Sequence, residues 1–574
     1  MRVAMFGLTL LVSAAAIGGE PDLILHNGKI VTVDKDFSIR QALAVKGERI
    51  VAVGSDDEVR KLAGPKTAVV DLHGKMVLPG LIDSHVHANG AAMTDFDHTL
   101  PDFQTIGDVL NYIRERAKVV PEGQWITLRQ VFITRLKEQR YPTKAELDEA
   151  APKHPVLYST GPDASINSMA LKLSKIDKDF KVADGGAGYV EKDPKSGEPT
   201  GILRNCTRYV KVSGSSGRQA TEADRLARLR DLFRDYNSVG LTGVVDRNAG
   251  GGDLDRYKRL LDGGQLTVRV RASHGVDVGG AVDQVQKNIA KVAEHPLTKD
   301  NPMLRIIGVK TFLDGGMLTG SAYMREPWGV SKIYSIDDPN YRGLLFISKE
   351  KLQTAVQACV DRKLQFTAHT VGDGAVHTLL NVYEEVNRKT PIRDTRPCIT
   401  HSNFMSKEAV ERQAKLGVVV DIQPAWLWLD THTLVAQFGY DRLRYFQPLK
   451  SIFKAGGIAG GGSDHMQKID SMRSVNPYNP FLGMYVAITR KSKHHPQPLH
   501  LDEALTREQA ILFYTINNAY LMFLENDIGS LEKGKYADMI VLDRDLLTCD
   551  IEQIRSAQVL ATYLGGKRVF EGKP

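Results

Sequence analysis

The stretch Leu78-Pro79-Gly80-Leu81-Ile82-Asp83-Ser84-His85-Val86-His87 joins an apolar run to two histidines separated by one residue. A short apolar run bounded by Gly and Pro is typical of a buried strand. Side chains at positions i and i+2 of a strand point to the same side, so the imidazoles of His85 and His87 can meet one metal ion. Because the chain has 16 histidines in 574 residues, one such pair can arise by chance and decides little alone.

Seven further apolar runs of strand length follow this stretch. Helix-sized segments such as 225–238, 280–295 and 350–362 lie between several of them. The eight predicted strands are 81–87, 241–245, 268–272, 304–312, 365–370, 398–401, 417–422 and 457–463. Eight β/α repeats predict an α/β protein whose parallel strands close into a (β/α)8 TIM barrel.

The two ends of the chain have a different pattern from the middle. Short alternating apolar segments punctuated by Gly occupy the region 23–54, and similar segments recur at 537–542 and 559–570. This texture predicts a small β-sandwich domain built from both chain ends, 20–78 and 526–574, beside a barrel of residues 79–525. The gap between the first two barrel strands is too long for one helix, so we expect an insertion after barrel strand 1 at about 95–225.

The first residues resemble a secretory signal peptide. Arg2 precedes an apolar run at 3–15, and small residues follow as far as Gly19. We therefore expect a leader at 1–19 and export of the protein, to the periplasm or as a secreted protein. The alternative is a buried strand or helix at the N-terminus.

Composition and charge exclude several classes of protein. A hydrophobic content of 42% with 25% charged residues indicates a folded chain. The net charge of +7 is spread over 75 basic and 68 acidic residues without a Lys/Arg-rich block, so we expect no nucleic-acid partner. No later apolar run is long enough to cross a bilayer, and we expect no membrane partner after leader removal. The four cysteines form no C-x-x-C pair, and neither a zinc ribbon nor a disulfide framework follows from them.

Polar residues mark the ends of several predicted barrel strands. Lys310 lies within the fourth run, His369 and His401 end the fifth and sixth, and Asp464 follows the eighth. Each alone has a structural explanation: a lysine that snorkels to the surface, a core histidine, or an aspartate that caps a helix. In a parallel barrel, however, the C-terminal ends of all strands meet at one mouth. Together with the histidine pair of the first strand, these residues indicate one shared site.

The sequence resembles the amidohydrolase superfamily of metal-dependent hydrolases, and most closely its amidohydrolase family 3 branch, which includes N-substituted formamide deformylases. The resemblance spans nearly the whole chain after the leader. The matching segments are the stretch 78–87 quoted above, Val309-Lys310-Thr311-Phe312-Leu313-Asp314-Gly315, Ala368-His369 with Gly372-Asp373, Thr400-His401, Gly462-Ser463-Asp464 and Ile528-Gly529-Ser530-Leu531-Glu532-Lys533-Gly534-Lys535-Tyr536-Ala537-Asp538.

The resemblance implies a set of metal ligands. These are His85, His87, Lys310, His369, His401 and Asp464. The histidine pair of the first strand would bind a first ion near Asp464, and His369 and His401 would hold a second. Lys310, carboxylated to a carbamate in many relatives, would bridge the two ions, and an unmodified lysine would leave a one-metal site. His and carboxylate donors suit Zn²⁺, which we expect as one or two ions per chain, with Fe²⁺, Mn²⁺ or Co²⁺ as alternatives.

Aromatic residues near the predicted mouth are candidates for substrate binding. They are Trp426 and Trp428 after the seventh strand and Tyr323 after the fourth, and ordinary packing explains them equally well. His465 is a further candidate beside Asp464, with solvent exposure as the alternative. The turn 246–248 after the second strand either shapes the pocket or caps the next helix.

Two departures from the family pattern lie in the insertion. Asn205 follows the segment 200–204 where many relatives carry a Glu, and no His precedes Asn167-Ser168 where relatives tend to have one. Both positions belong to the segment expected to cover the pocket. They leave the choice of substrate open without touching the implied metal ligands.

The implied chemistry is hydrolysis of a small molecule. A bound metal ion lowers the pKa of water and polarises a carbonyl, and Asp464 is expected to act as the general base, with His401 also in the catalytic set. The predicted reaction breaks a non-peptide C–N bond in a linear or cyclic amide. The alternatives are a metal-dependent lactone or phosphate-ester hydrolase, and a non-enzymatic exported metal-binding protein on the same scaffold. A homodimer is the generic expectation for the assembly.

Overall fold

The computed structural model describes residues 19–184, 186–214 and 217–573, and its central element is a sheet of eight parallel strands. In chain order these strands are β1 (Leu81–Val86), β2 (Leu241–Ala249), β3 (Arg269–Gly275), β4 (Leu304–Phe312), β5 (Gln365–Thr370), β6 (Cys398–His401), β7 (Val419–Ile422) and β8 (Ala459–Gly461). Strands that follow one another along the chain are neighbours throughout the sheet. The predicted TIM barrel is confirmed, and each of the eight predicted strands overlaps an observed one.

The barrel closes between β8 and β1. The backbone N–H of Asp464 donates to the carbonyl of His85 (2.8 Å), and that of His87 donates to the carbonyl of His465 (2.8 Å). Val86 and His465 form a parallel bridge at the same place. Closure leaves no unpaired edge in the sheet, and it brings the residue after β8 beside the two histidines that end β1.

Helices follow the barrel strands. Their bounds are Gly251–Asp262 after β2, Val282–Ala293 after β3, Lys349–Asp361 after β4, Asp373–Asn387 after β5, Lys407–Leu416 after β6, Pro424–Phe438 and Leu449–Lys454 after β7, and Pro480–Thr489, Arg507–Tyr514 and Ile516–Leu521 after β8. The helix after β6 shows how the sequence sets such bounds. The Ser406 hydroxyl accepts the Ala409 backbone N–H at its start, and Gly417 ends it with a φ of 70°, which Gly adopts without strain.

The segment between β1 and β2 forms its own sheet and helices. In spatial order the strands are Tyr189–Lys192, Pro199–Arg204, Ala164–Ile166, Val156–Ser159 and Ile126–Arg129. The helices are Ala88–Ala92, Ile106–Val119, Lys144–Ala150, Ser168–Ser174 and Glu222–Ser238. Two arginines tie this insertion to the barrel. The half-buried Arg135 pairs with Asp430 of the helix after β7 (Nη2 to Oδ2, 2.8 Å), and the buried Arg204 donates to the carbonyl of Thr319 in the loop after β4 (Nη1 to O, 2.6 Å).

Two further sheets are built from the two ends of the chain. One has the order Arg49–Gly54, Ala42–Lys46, Leu23–His26 and Ala68–Asp71, and the short helix Asp56–Arg60 follows its edge strand. The other has the order Lys567–Glu571, Val559–Leu564, Met539–Leu542, Met76–Pro79, Lys29–Val31 and Ile39–Arg40. Apolar side chains from both sheets, such as Leu43 and Met539, share one core. The buried pair of Arg269 and Asp538 joins these sheets to β3.

The predicted leader at 1–19 lies, apart from Gly19, outside the described residues. The turn predicted at 246–248 is instead part of β2, which is longer than its apolar run because Arg247 pairs with Ser273 of β3 in the sheet and buries its side chain in the barrel. Within the part of the chain that the structure describes, no helix combines the length and hydropathy that a bilayer span requires.

Candidate metal centre

Three side chains converge where the barrel closes. Nε2 of His85 lies 3.3 Å from Nε2 of His87, and Oδ1 of Asp464 lies 3.3 Å and 3.2 Å from these two nitrogens. His85 and Asp464 are buried, whereas His87 is half-buried. Two imidazole nitrogens and one carboxylate oxygen at such short mutual distances form a donor set that suits a divalent transition metal.

The backbone explains why these groups meet. Asp464 has a φ of 56°, an uncommon left-handed conformation for a non-Gly residue, and its carbonyl accepts the buried side-chain amide of Asn476 (2.9 Å). Gly462 allows the chain to pass close to β1, because a Cβ there would lie 2.7 Å from the Ser84 hydroxyl and 2.9 Å from the His85 backbone nitrogen. These contacts turn the Asp464 carboxylate toward the histidine pair.

His369 and His401 extend the cluster from the ends of β5 and β6. The ring centroid of His401 lies 4.9 Å from that of His85 and 4.5 Å from that of His369. His401 also has a left-handed backbone, with a φ of 79°, and its Nδ1 contacts Oε1 of Gln423 (2.8 Å), which leaves Nε2 for another partner. The structure thus brings together all four predicted imidazoles.

Lys310 of β4 is buried beside this cluster. Its Nζ lies 5.1 Å from the ring centroid of Phe312, and the hydrogen bonds and ion pairs found among the described residues include none to Nζ. Burial lowers the pKa of Lys310 to about 8, although the carboxylates of Asp421 and Asp464 act in the opposite direction. A buried amine without a close anionic partner is costly, and this cost distinguishes Lys310 from an ordinary structural lysine.

Asp421 is a central residue that the sequence analysis missed. It lies fully buried on β7, and its Oδ1 accepts the backbone N–H of His401 (3.1 Å) and lies 3.6 Å from Nδ1 of His85. Its Oδ2 pairs with Nε of Arg247 (3.0 Å). The available signal was a carboxylate inside the apolar run Val419-Val420-Asp421-Ile422, where an unpaired charge is unfavourable.

Arg247 fills the barrel interior next to this carboxylate. Its Nη1 donates to the Ser273 hydroxyl (2.9 Å) and to Oε1 of Gln365 (2.7 Å), and its Nε also donates to the carbonyl of Ser84 (3.3 Å). Arg247 therefore bonds to residues of β1, β3, β5 and β7. It neither caps the following helix nor lines the mouth as a free charge.

Burial keeps His85, His369 and His401 in the neutral form that binds metal. It lowers the pKa of His369 to about 3, and it holds the pKa values of His85 and His401 well below their usual range, with positive neighbours such as Lys310 adding to the effect. Neutral imidazoles are the ligating form. Burial raises the pKa of Asp464, while its bond to His87 opposes the rise.

Trp426 covers one side of the cluster. Its ring stacks on that of His401 with a centroid distance of 4.7 Å. The indole Nε1 is buried, and no hydrogen-bond acceptor is found for it among the described residues. A buried donor without an acceptor is rare in folded proteins, so this N–H is a candidate contact for a bound molecule.

The other predicted substrate contacts have different surroundings. Trp428 is half-buried, and its ring packs against that of Tyr485 (6.2 Å between centroids). Tyr323 is half-buried, and its backbone N–H donates to the buried carboxylate of Asp314 (2.9 Å). His465 is fully buried, and its ring nitrogens contact the Tyr236 hydroxyl (2.7 Å) and the carbonyl of Lys468 (2.7 Å). Both ring nitrogens of His465 are engaged by protein groups, so we assign this residue no substrate contact in the proposal below.

Asn205, the departure noted in the insertion, is bonded within the insertion itself. Its backbone N–H donates to Oδ1 of Asp163 (2.7 Å), and its side-chain amide donates to the carbonyl of Ala187 (2.7 Å). Arg204 next to it donates to the carbonyls of Thr319 and Tyr334, in the loop after β4. This part of the insertion therefore supports the loop that carries Tyr323.

Known proteins are similar to this chain along nearly all of its length. The model of the amidohydrolase family matches residues 68–570. The chain is 30% identical over 563 residues to the N-substituted formamide deformylase of Arthrobacter pascens, with 96% of this chain and 98% of that protein covered. It is 25% identical to the putative amidohydrolase YtcJ of Bacillus subtilis, with 96% and 99% covered.

A solved structure shares the fold. The crystal structure of an uncharacterized metal-dependent hydrolase from Pyrococcus horikoshii aligns with a TM-score of 0.67 and 23% identity, and the alignment covers 92% of this chain and 99% of that chain. A family model that spans most of the sequence, and a relative that is similar along its whole length, lead to one conclusion: this protein belongs to the amidohydrolase family.

Proposed function

We propose that this protein is a metal-dependent hydrolase that breaks a non-peptide C–N bond in a linear or cyclic amide. The observation that carries the proposal is the convergence of His85 Nε2, His87 Nε2 and Asp464 Oδ1 within 3.3 Å of one another. The similarity to a formamide deformylase supports an amide as the substrate class.

The donor set fits a divalent cation. In the proposal His85, His87 and Asp464 would hold one ion and His369 and His401 a second, with Lys310, once carboxylated, available to both. A carbamate on Lys310 would replace a buried cation by an anionic oxygen donor, which suits the lack of a close carboxylate partner for Nζ among the described residues. The bound cation supplies Lewis acidity, polarising the scissile carbonyl and acidifying water, and zinc is the proposed ion.

Asp464 is the proposed general base. Its carboxylate lies at the barrel mouth beside the half-buried His87, so a water molecule that enters the mouth can reach it. Burial raises its pKa, which makes the carboxylate a stronger proton acceptor than an exposed aspartate. It takes a proton from the attacking water and returns it to the leaving amine, so one residue serves first as the base and then as the acid.

Residues behind the candidate ligands hold the imidazoles of His85 and His401 in position. Asp421 fixes the backbone of His401 and lies near Nδ1 of His85, and Gln423 contacts Nδ1 of His401. Partners of this kind set the orientation and tautomer of ligating histidines. Trp426 stacks on His401, and in the proposal its unpaired indole N–H donates to the substrate.

A substrate panel on the metal-loaded protein tests the proposal. N-formyl amines, cyclic amides, lactones and phosphotriesters are compared on wild type, Asp464→Asn and the control Asp283→Asn, which removes an exposed carboxylate paired with Lys287. Bound metal is quantified for each protein. We expect turnover of an amide and a loss of about 10²–10⁴-fold per bound metal in Asp464→Asn only.

Three results would contradict the proposal. Turnover of Asp464→Asn within about threefold of wild type, per bound metal, removes Asp464 as the base. Turnover confined to a lactone or a phosphotriester would show that the enzyme breaks an ester bond and not a C–N bond. Metal binding without any turnover would support a non-enzymatic role.

A further inference from the structure

One cavity in the described part of the chain is lined by residues other than the candidate metal ligands. It encloses about 720 Å³ between the insertion and the loops after β7 and β8. Its walls come from four parts of the chain: 100–105 and 130–139 in the insertion, 428–433 in the helix after β7, and 467–494 after β8. None of the six predicted metal ligands lines it. Its volume is within the range of small-molecule sites.

One side of this cavity is apolar. Phe132 and Leu136 are buried in the wall, and Phe103 and Trp428 are half-buried there. The indole of Trp428 is the largest of these surfaces, and it belongs to the same helix as Trp426 of the candidate metal centre. An apolar body of the size of a phenylalkyl group can lie against such a wall.

The cavity carries an excess of positive charge. Its five basic lining residues are Arg135, Lys137, Lys468, Arg473 and Lys493, whereas Asp102 is the acidic one. Three of the five already pair with carboxylates, at N–O distances of 2.7–2.8 Å. Lys137 and Lys493 are exposed and have no ion pair among the described residues. The positive charges of these two ammonium groups are therefore not neutralised by carboxylates of the described residues.

An apolar wall beside two unneutralised ammonium groups selects a definite ligand chemistry. We propose that this cavity binds a small amphipathic carboxylate, with its apolar body against Trp428 and Phe132 and its anion toward Lys137 and Lys493. A positive potential in a concave site attracts anions and raises their local concentration. A neutral ligand of the same shape would gain only the apolar contact.

The cavity also contacts the support of the metal centre. Arg135 in its wall donates through Nη1 to Oδ1 of Asn476 (3.3 Å), and Nδ2 of Asn476 donates to the carbonyl of Asp464 (2.9 Å). Asn476 therefore connects Arg135 in the cavity wall to the backbone of Asp464, and a ligand in the cavity lies close to this connection. The ligand is either the distal part of the substrate or a separate effector. In both cases it is an apolar group that carries a carboxylate.

Direct binding tests the inference without any turnover, so it is decided separately from the proposed reaction. The full chain, freed of metal by a chelator so that a carboxylate cannot bind an ion, is titrated calorimetrically with 4-phenylbutyrate and with the uncharged 4-phenylbutyramide. The test variant is Lys137→Gln/Lys493→Gln. The control is Lys35→Gln/Lys407→Gln, which removes the same charge from exposed lysines elsewhere, at 89% and 77% side-chain exposure.

We expect the carboxylate to bind wild type and the control alike, and the test variant and the amide each to bind about tenfold more weakly. Trp428→Leu should weaken both probes, since it removes the apolar wall. The inference is overturned if the carboxylate fails to bind below about 10 mM, if acid and amide bind equally, or if the Lys137/Lys493 variant binds as wild type does. In the metal-loaded enzyme, competition between 4-phenylbutyrate and substrate that is lost in Lys137→Gln/Lys493→Gln identifies the substrate's own anion as the ligand of the cavity. If wild type shows no competition, the ligand is an effector.

Discussion

Arg247 and Asp421 form an ion pair inside the barrel, with 3.0 Å between Nε and Oδ2 and both side chains fully buried. Through its other oxygen, Asp421 accepts the backbone N–H of His401 and lies 3.6 Å from Nδ1 of His85. The pair therefore connects the packing of the barrel interior to the orientation of two candidate metal ligands. Stability and metal binding should respond together when it is broken.

The first prediction concerns this pair. Asp421→Asn leaves the Arg247 guanidinium buried without a charged partner, which should lower the free energy of unfolding by about 3–5 kcal/mol. It should also lower metal occupancy, because His85 and His401 lose an orienting carboxylate. Urea unfolding and metal analysis measure the two effects. Asp300→Asn, at an exposed pair with Arg305, is the control and should change stability by less than about 1 kcal/mol. Full metal content in a stable Asp421→Asn protein would contradict this coupling.

The second prediction concerns the close approach of β8 to β1. In Gly462→Ala the new Cβ would lie 2.9 Å from the backbone nitrogen of His85, which cannot move without opening the barrel seam. We expect a loss of about 1–3 kcal/mol of stability and a lower metal affinity. Gly251→Ala is the control, since a Cβ there meets nothing within 4 Å. Equal metal affinity of the two variants would show that the seam tolerates the extra carbon.

The third prediction concerns the joint between the barrel and the sheets at the chain ends. Arg269 makes two bonds to Asp538, Nε to Oδ2 at 2.6 Å and Nη2 to Oδ1 at 2.9 Å, and both side chains are buried. Arg269→Met should cost about 3–5 kcal/mol because it strands a buried carboxylate. The double variant Arg269→Met/Asp538→Asn should recover part of this loss in thermal and urea unfolding. A double variant no more stable than Arg269→Met would mean that packing, and not the stranded charge, causes the loss.

The fourth prediction separates two roles of Trp426. Trp426→Phe keeps an aromatic ring against His401 and removes the unpaired indole N–H. If that N–H donates to substrate, kcat/KM should fall by about tenfold or more. The smaller ring costs some packing, but removal of an unsatisfied buried donor offsets part of that cost, so stability should fall less than in a Trp→Phe variant that also loses a hydrogen bond. Trp328→Phe is the matched control: its indole N–H donates to the carbonyl of Ala322 (2.8 Å), so it should lose stability. Unchanged kinetics in Trp426→Phe would leave that ring a packing role only.

The fifth prediction concerns pH. Glu146 accepts two bonds from Arg140, at 2.8 Å and 2.7 Å, and these hold the pKa of Glu146 at about 2, against its usual 4.5. A carboxyl whose folded pKa is depressed stabilises the fold above its unfolded pKa, and the contribution is lost as the pH falls toward the folded value. Glu146→Gln should therefore cost about 1 kcal/mol near neutral pH, a modest value because the pair is partly exposed.

The difference between wild type and Glu146→Gln should shrink as the pH falls from about 4.5 toward 2. Hydrogen exchange in the helix Lys144–Ala150 measures it locally, since Glu146 also accepts the Thr143 backbone N–H at the start of that helix. Glu115→Gln, which breaks an exposed pair with Lys118, is the control. A difference that grows toward acid pH would contradict stabilisation of the fold by the ionised Glu146.

Sequence reasoning was most successful where a pattern depends on neighbours along the chain. The fourth, fifth and sixth strands were predicted at their observed bounds, since an apolar run of strand length between helical segments is a local feature. It was least successful at β2, where the run continues through the polar residues 246–248. Arg247 is stable there because Asp421, Gln365 and Ser273 of other strands satisfy it, and none of these is near it in the chain.

The sequence by itself determined the barrel and the identities of the candidate ligands, because strand periodicity places His85 and His87 on one side and parallel strands bring their C-terminal ends together. Only the tertiary structure decided which groups touch. The closure of β8 on β1 sets Asp464 against the histidine pair, and the buried pair of Arg247 and Asp421 is made between strands that are not neighbours. Such contacts depend on distances through space, which the order of residues does not encode locally.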